Sequence, residues 1–425
     1  MPNASAPSLP RIAAATAYAA FSLALFISQF YRTAMALLAP ILTDEMGLTA
    51  ERLGFLAAAY FFAFALMQLP VGMMLDRFGP RRTVAGLTVL GISGALIFAL
   101  APGYGGLLLG QMLIGVGTAG SFTGGIVICA RWFRPQRAAM LTGLMLGIGN
   151  LGGVLAATPL ALALETWGWR NTMLAMAAWM LIDGLLILML VRDAPPGHAQ
   201  RERKPETPGE ILAGLMQVLR TSEIWRLMAL AFVGFASVMT IRGLWGGPYL
   251  LGIHGLDSIH AGHVLLAMTV GVILGAVGYG ALEQPFDTRR GVGLVGGSGL
   301  AATLALLAAL PHPPLWLVIA AFVAIGVCGQ TYIMVLAHGR AGFADRLVGR
   351  VITTLNMAAF VGTFALQALS GVIVRAFQEP DGSVPEAGYR VLFAFLAAVV
   401  AAALAIYAGS TDAKPSQDAM REKTG

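Results

Sequence analysis

The chain has 425 residues, of which 57% are hydrophobic and only 11% are charged, and its net charge is +6 at pH 7. A mean hydropathy of +0.77 excludes an ordinary soluble domain and indicates a polytopic membrane protein. The basic residues are spread over many short segments, which argues against a nucleic-acid partner.

Charge-poor segments in chain order predict twelve membrane-spanning helices, since about 20 apolar residues cross the hydrocarbon layer of about 30 Å. Residues 83–130 and 291–339 are each long enough for two spans and are interrupted by proline-containing turns near 102–106 and 311–314. We therefore expect an all-α membrane protein with both termini on one side. The predicted spans lie near residues 12–40, 53–75, 83–130 (two), 138–164, 171–191, 224–252, 262–283, 291–339 (two), 351–374 and 390–410.

The basic residues predict the orientation of the chain. Of the 27 Lys and Arg residues, 21 fall in loops or tails on the side of the termini. Only Arg52, Arg170, Arg375 and Arg390 fall on the other side. By the positive-inside rule the termini are cytoplasmic, and we expect a multi-pass protein of a bacterial cytoplasmic (inner) membrane. The two remaining arginines, Arg32 and Arg242, lie inside predicted spans.

A proline-rich, charged segment at residues 192–223 divides the chain in the middle. It predicts a cytoplasmic linker between an N-terminal half, residues 1–191, and a C-terminal half, residues 224–410, which is followed by a cytoplasmic tail, residues 411–425. An offset of 208 residues relates the charge-free runs that start at residues 83 and 291. Repeated halves are typical of transporters that bind substrate near the membrane midplane, and we expect a monomer.

The stretch "GMMLDRFGPRRT" is the most informative motif. A predicted span ends at Leu75, a carboxylate follows at the polar boundary, and Gly79-Pro80 turns the chain before two arginines. This pattern resembles the loop between helices two and three of the major facilitator superfamily, and the similarity extends over about residues 15 to 410. The resemblance implies a gate in which Asp76 latches one conformation. The gating candidates are Gly72, Asp76, Arg77, Gly79, Arg81 and Arg82, with Glu283 joining the same network; Gln284 replaces the aspartate in the second repeat.

Two further stretches are similar to the organophosphate:phosphate antiporter branch of that superfamily. In one, Tyr31-Arg32 is followed eight residues later by Pro40; in the other, Arg242 precedes Pro248-Tyr249. The ending "VRDAPPGH" after the sixth predicted span is also similar. The resemblance implies that Arg32 and Arg242 bind the anionic substrate.

The cost of an intramembrane arginine supports this assignment independently. Such a residue costs about 2.5–3.5 kcal/mol on insertion scales, so it normally faces a polar cavity with a partner. Repeat symmetry predicts that Arg32 and Arg242 face one cavity, where a bound anion relieves their repulsion and accepts bidentate hydrogen bonds. The alternatives are structural ion pairs, or snorkelling of Arg32 towards the interface. Further candidates for the substrate site are Tyr31, Gln68, Asn150, Trp245, Tyr249, Gln330 and Asn356.

Two departures from the branch make the expected site less cationic. Gln68 stands where the phosphate permeases have a lysine, and Gly149 stands where they have a histidine before the run Asn150 to Gly153. A carboxylate or another organic anion is therefore at least as compatible with the sequence as a phosphate ester. The run "GIGNLGG" has two other interpretations, close helix packing and similarity to nitrate porters.

Asp183 is the carboxylate that lies well inside a predicted span. It fits either a proton-coupling site or a protonated structural residue, so anion exchange and proton symport both stay open. The formal Gly-x-Gly-x-x-Gly at 115–120 lies in a span and indicates glycine packing. We expect no enzymatic activity, cofactor or metal. Export of drugs or a siderophore and a transporter-like solute receptor are the alternative functions.

Overall fold

The computed structural model describes residues 8–195, 208–343 and 347–416, and within these ranges the chain is helical with no β-strand. The first eight helices are α1 Ser8–Thr33, α2 Met35–Met46, α3 Ala50–Leu66, α4 Gln68–Leu100, α5 Tyr104–Thr118, α6 Ser121–Trp132, α7 Pro135–Leu155 and α8 Thr158–Leu190. The remaining nine are α9 Pro208–Leu219, α10 Ser222–Thr240, α11 Gly246–Gly252, α12 Ser258–Phe286, α13 Arg289–Ala309, α14 Leu315–Cys328, α15 Thr331–Gly342, α16 Val348–Arg375 and α17 Glu386–Tyr407. A π-helical turn, Ile241–Trp245, joins α10 to α11.

Ten helical stretches of the described residues are long and apolar enough to cross a membrane, which confirms an all-α polytopic protein. Two of the ten, α4 and α8, each contain a glycine with non-helical dihedral angles, Gly79 (φ 79°) and Gly168 (φ 75°). Each of these elements is thus two helical segments joined at a glycine. The count of twelve spans and the side on which the termini lie stay predictions.

Two turns that the composition predicts are present. The chain leaves the helical conformation after Leu100 and resumes it at Tyr104, and the corresponding interruption in the second repeat runs from Ala309 to Leu315. The predicted linker contains an unexpected element, because α9 occupies residues 208–219. The centre of that linker, residues 196–207, and the end of the predicted tail, residues 417–425, lie outside the described residues.

The chain divides into two compact units. Among the described residues, the first consists of 8–32, 63–156 and 163–195, and the second of 33–62, 157–162, 208–343 and 347–416. A buried apolar core in the first unit includes Phe21, Val84, Ile128, Met145 and Ile187. In the second unit α10 packs along α16 and α17.

Polar contacts stabilise both ends of the second segment of α4, in the first unit. At its start the backbone N–H of Arg81 donates to Oδ1 of Asp193 at 2.7 Å. At its end the guanidinium of Arg170 donates to the carbonyls of Ala99 and Ala101 at 2.8 and 3.0 Å. An anion at a helix N-terminus and a cation at its C-terminus satisfy unpaired backbone groups and complement the helix dipole.

The same arrangement recurs at α13 in the second unit. Oδ1 of Asp412 accepts hydrogen bonds from the backbone N–H groups of Arg289 and Arg290 at 3.2 and 3.0 Å. At the other end Nε of Arg390 donates to the carbonyl of Ala308 at 2.8 Å. Asp412 and Arg390 thus contact the two ends of α13 as Asp193 and Arg170 contact the two ends of the second segment of α4. The repeat in the sequence is therefore matched by a repeat of the capping contacts.

Candidate functional site

The first intramembrane arginine lies where a helix is interrupted. Arg32 is in the last turn of α1, is 9% exposed, and precedes the break at Ala34 that separates α1 from α2. Its guanidinium carbon lies 4.5 Å from the centroid of the Phe64 ring, within the range of a cation–π interaction. The apolar α1 thus ends in a buried cation that rests on an aromatic face.

Pro40 leaves a backbone carbonyl of α2 without its usual helical donor. Proline has no N–H, so the carbonyl of Ala36, four residues earlier, receives no bond from it. Gly247 of α11 approaches this carbonyl so closely that a Cβ at position 247 would lie 1.8 Å from the oxygen. Within the second unit, α2 and α11 are therefore in backbone contact that only glycine permits.

The neutral polar site candidates of the first unit contact other protein groups. Nε2 of Gln29 donates to Oδ1 of Asn150 at 2.9 Å, which joins α1 to α7. Gln68 begins α4 and donates to the carbonyl of Phe64 at 3.3 Å. Tyr31 is 3% exposed, and its ring meets that of Phe30 edge to face. Asn150 and Gln68 thus belong to the same unit as Arg32, and both already hold a protein partner.

Two glycines of "GIGNLGG", Gly149 and Gly152, lie in close contact with α1. A Cβ at Gly149 would lie 2.6 Å from Cγ of Leu25, and a Cβ at Gly152 would lie 2.0 Å from the carbonyl oxygen of Phe26. Residue 149 therefore has no room for an imidazole while α1 and α7 pack in this way. Close helix packing is therefore observed at Gly149 and Gly152, whereas a Cβ at Gly147 would meet no atom of the described residues within 4 Å.

The second intramembrane arginine also lies at a helix irregularity. Arg242 belongs to the π-helical turn, and the N–H of Gly246 bonds to the carbonyl of Ile241 five residues earlier. Pro248 lies two residues after Gly246 and lacks the N–H that would continue a regular α-helix. Arg242 is 3% exposed. Such π-turns frequently occur at functional sites.

A chain of hydrogen bonds next to the π-turn joins α10 to α16. Nε1 of Trp245 donates to Oγ of Ser370 at 2.8 Å, and that hydroxyl donates to the carbonyl of Gln367 at 2.7 Å. Nε2 of Gln367 donates to the carbonyl of Met239 at 3.2 Å, and its Oε1 has no partner among the described residues. Trp245 is 2% exposed and is therefore anchored inside the second unit.

Tyr249 and Asn356, two other predicted site residues, have protein partners in the second unit. Tyr249 is 1% exposed and packs edge to face against Tyr389 and Phe393, each at a centroid distance of 5.3 Å. Asn356 on α16 accepts a hydrogen bond from the hydroxyl of Tyr332. Gln330, 7% exposed, lies at the interruption between α14 and α15.

Gly79 is the motif residue whose identity the structure explains most directly. Its φ of 79° lies in the left-handed region, which favours glycine. A Cβ there would also lie 2.5 Å from a carboxylate oxygen of Asp193. The guanidinium of Arg81 donates to the carbonyl of Leu188 at 2.9 Å through Nε. The contacts of Gly79 with Asp193 and of Arg81 with Leu188 therefore join α4 to the end of α8 and the residues that follow it.

The other gating candidates lie nearer the surface. Asp76, Arg77 and Arg82 are exposed, and the guanidinium of Arg77 lies 5.3 Å from the centroid of the Phe78 ring. A Cβ at Gly72 would meet no atom of the described residues within 4 Å. A latch at Asp76 stays a prediction.

The corresponding region of the second unit contains a charged cluster. Glu283 forms an ion pair with Arg289, and its role in a gate stays a prediction. Nδ1 of His338 lies 2.9 Å from the hydroxyl of Tyr407, and its Nε2 lies 2.7 Å from the carbonyl oxygen of Thr411. Sequence reasoning did not identify His338.

The pKa of Asp412, whose carboxylate caps α13, lies below its usual range. Partial burial raises the pKa of Asp412, but hydrogen bonds from the Thr288 hydroxyl and from the backbone of Arg290 and Arg289 outweigh burial and hold the pKa below its usual range. These bonds favour the charged form, so the carboxylate stabilises the start of α13.

Sequence reasoning missed several polar residues that join helices. Gln29, Gln367 and Ser370 make the contacts described above, and each is a neutral side chain inside an apolar run. The available signal for Gln29 was its position three residues before Arg32, which places it on the same helix face. In residues 8–195, 208–343 and 347–416, no three or more His, Cys, Asp or Glu side chains are grouped to hold a metal.

A family model described as the Major Facilitator Superfamily matches residues 21–339. The probable sulfoacetate transporter of Cupriavidus necator is 24% identical over 264 residues, which are 59% of this chain and 61% of that protein. The hexuronate transporter of Escherichia coli is 22% identical over 400 residues, 87% of this chain and 88% of that protein. Further relatives bear the names of tartrate and nitrate/nitrite transporters. The chain matches about three fifths of the length of the sulfoacetate and tartrate relatives, 61% and 59%.

The fold is similar to that of solved transporters. A bacterial homologue of the human lysosomal transporter Spinster, in an inward-facing and unoccupied conformation, gives a TM-score of 0.74 at 18% sequence identity. The similarity covers 95% of this chain and 97% of that one. An identity this low shows the shared fold and carries no statement about substrate.

Proposed function

The chain belongs to the major facilitator superfamily, and we propose that it moves a small organic anion across the cytoplasmic membrane by alternating access. The family and the relatives are transporters and not enzymes. We propose cytoplasmic termini and twelve spans, with Asp76 and Arg81 acting in the gate.

One observation carries the proposal. Two arginines lie in otherwise apolar membrane helices, both are at least nine-tenths buried, and each is at a point where its helix departs from regular α geometry. Irregular backbone at membrane depth occurs where it is enclosed by protein or lines a cavity, and broken helices mark the binding sites of many transporters. Arg32 and Arg242 are therefore our candidates for the residues that bind the anion.

The chemistry of the arginines defines the class of substrate. A guanidinium binds a planar or tetrahedral oxyanion through two parallel hydrogen bonds and stays charged throughout the cycle. The matching relatives are named for sulfoacetate, hexuronate, tartrate and nitrate, which supports an anion. We favour a carboxylate or sulfonate over the phosphate ester of the organophosphate branch, because Gln68 and Gly149 supply no positive charge. Coupling is by exchange or by proton symport.

A thermal-shift screen of the purified full chain tests the proposal. The probes are sulfoacetate, glucuronate, tartrate, glycerol 3-phosphate and nitrate at constant ionic strength, because a ligand that binds the folded state raises Tm. We expect at least one carboxylate or sulfonate to raise Tm, and Arg32→Ala and Arg242→Ala to abolish that shift. Arg137→Ala, which removes an exposed arginine of the first unit, is the matched control. An unchanged shift in both site variants would contradict the proposal.

A further inference from the structure

Asp183 lies beside a small cavity inside the first unit. Its side chain is 1% exposed, and Oδ1 has no hydrogen-bond partner among the described residues. The cavity has a volume of about 10 Å³ available to the centre of a water-sized molecule, and Asp183 lines it together with residues of α1, α4, α5 and α6. This volume admits about one occupant of that size.

The polar lining of the cavity consists of oxygen atoms. Thr88, Thr118 and Ser121 contribute hydroxyl groups to the wall. The hydroxyl of Thr88 donates to the carbonyl of Val84 at 2.8 Å, and that of Ser121 donates to the carbonyl of Thr118 at 3.0 Å. Because these protons are directed to the backbone, the oxygen atoms have lone pairs left for an occupant.

The charge of the cavity is unbalanced when Asp183 is ionised. The remaining lining residues, including Ala24, Ile27 and Met180, are uncharged, so no lining side chain compensates the carboxylate. An isolated buried carboxylate is strongly unfavourable and requires a proton or a cation. Hydroxyl and carboxylate oxygens are the ligands that hard cations prefer, and a single negative charge matches a monovalent ion.

We propose that this cavity is a binding site for one sodium ion, held by the carboxylate of Asp183 and the hydroxyl oxygens of Thr88 and Ser121. The occupant lies against α1, because Ala24 and Ile27 form part of the wall. Ile27 precedes Arg32 by five residues on the same helix. Occupancy would thereby affect the helix that carries the anion-binding arginine; this coupling, unlike the site itself, rests on the proposed function.

Two measurements without any anionic substrate test the site, on the full chain reconstituted in lipid. The first is binding of radioactive sodium in a choline background. The second is the infrared band of a protonated carboxylic acid at neutral pH, compared between the wild type and Asp183→Asn. We expect the wild type to bind sodium and to show no acid band from Asp183 when sodium is bound, and Asp183→Asn to bind sodium at least about tenfold more weakly. Glu165→Gln, which removes an exposed carboxylate of the same unit, should bind sodium like the wild type.

Two milder variants keep the test valid if Asp183→Asn fails to fold. Thr88→Val and Ser121→Ala each remove one oxygen while leaving Asp183 in place. We expect each to weaken sodium binding about 2- to 10-fold, because one ligand is lost. Sodium binding that is unchanged in all folded variants, or an acid band in saturating sodium that Asp183→Asn removes, would overturn the proposal. Substrate binding in the thermal-shift screen is independent of this result, so the two proposals can fail separately.

Discussion

Gly247 lies against the carbonyl oxygen of Ala36, at a distance that leaves no room for a side chain. A Cβ on Gly247 would be 1.8 Å from that oxygen and 2.7 Å from the carbonyl carbon. The carbonyl lacks a helical donor because Pro40 stands four residues later. Pro40 thus leaves a carbonyl of α2 without a helical donor, and Pro248 follows the π-helical turn. The two helix backbones come into contact at Gly247, within the second unit.

Gly247→Ala should destabilise this contact. The added methyl group forces α2 and α11 apart, and overpacking of this kind costs about 1–3 kcal/mol. We expect Tm of the purified protein to fall by several degrees. Gly252→Ala in the same helix is the control, since a Cβ there meets no atom of the described residues within 4 Å. Equal Tm values for the two variants would contradict the described contact.

The motif loop offers a second matched pair of glycines. Gly79 has a left-handed φ and faces Asp193, whereas a Cβ at Gly72 meets nothing within 4 Å in the described part of the chain. Alanine at position 79 incurs both strain and a steric clash, which together exceed about 1 kcal/mol. Gly79→Ala should therefore lower Tm clearly, and Gly72→Ala should leave it nearly unchanged. The reverse order would show that the contact with Asp193 does not hold this loop.

Asp412 predicts a stability effect that depends on pH. Its folded-state pKa is held below the usual range, so its contribution is present above the unfolded pKa of about 3.9 and is lost as pH falls through the folded value. Asp412→Ala should lower Tm by about 1–3 °C at neutral pH, a typical effect of losing a helix cap. The difference should vanish in acid. A difference that persists at low pH would show that capping by the carboxylate is not its cause.

The hydrogen bond between Trp245 and Ser370 can be measured with a double-mutant cycle. Ser370→Ala leaves the buried indole N–H without a partner, at a cost of about 1–3 kcal/mol. In a Trp245→Phe background that N–H is absent, so Ser370→Ala should lower Tm less than it does in the wild type. The loss of the Ser370 bond to Gln367 is common to both backgrounds. Additive Tm changes would indicate that the two side chains are not coupled.

The sequence singles out Arg32 and Arg242 as candidate binding residues, because a charge inside an apolar run is energetically costly and therefore conspicuous. It also predicts the helical character of the chain and the turn at Gly79-Pro80, since each depends on local pattern or motif. The helix α9 in the predicted linker was not expected, because prolines and charges flank it.

Contacts between distant helices could not be predicted in the same way. Gln29 and Asn150 are 121 residues apart, and Trp245 and Ser370 are 125 apart. A neutral polar residue in a span is compatible with packing, with local bonding to its own helix or with a partner elsewhere, so its type does not identify the partner. The caps that Asp193 and Asp412 form need the three-dimensional fold for the same reason.

Anion binding by Arg32 and Arg242 is tested by transport in proteoliposomes that contain variants of the two residues, using the anion that gives the largest thermal shift. We expect Arg32→Ala and Arg242→Ala each to abolish uptake and counterflow. Arg32→Lys and Arg242→Lys should keep only a small fraction of both activities, because lysine retains the charge and loses bidentate binding. Arg137→Ala should transport normally. Uptake at the wild-type rate by both alanine variants would show that these arginines do not bind the substrate.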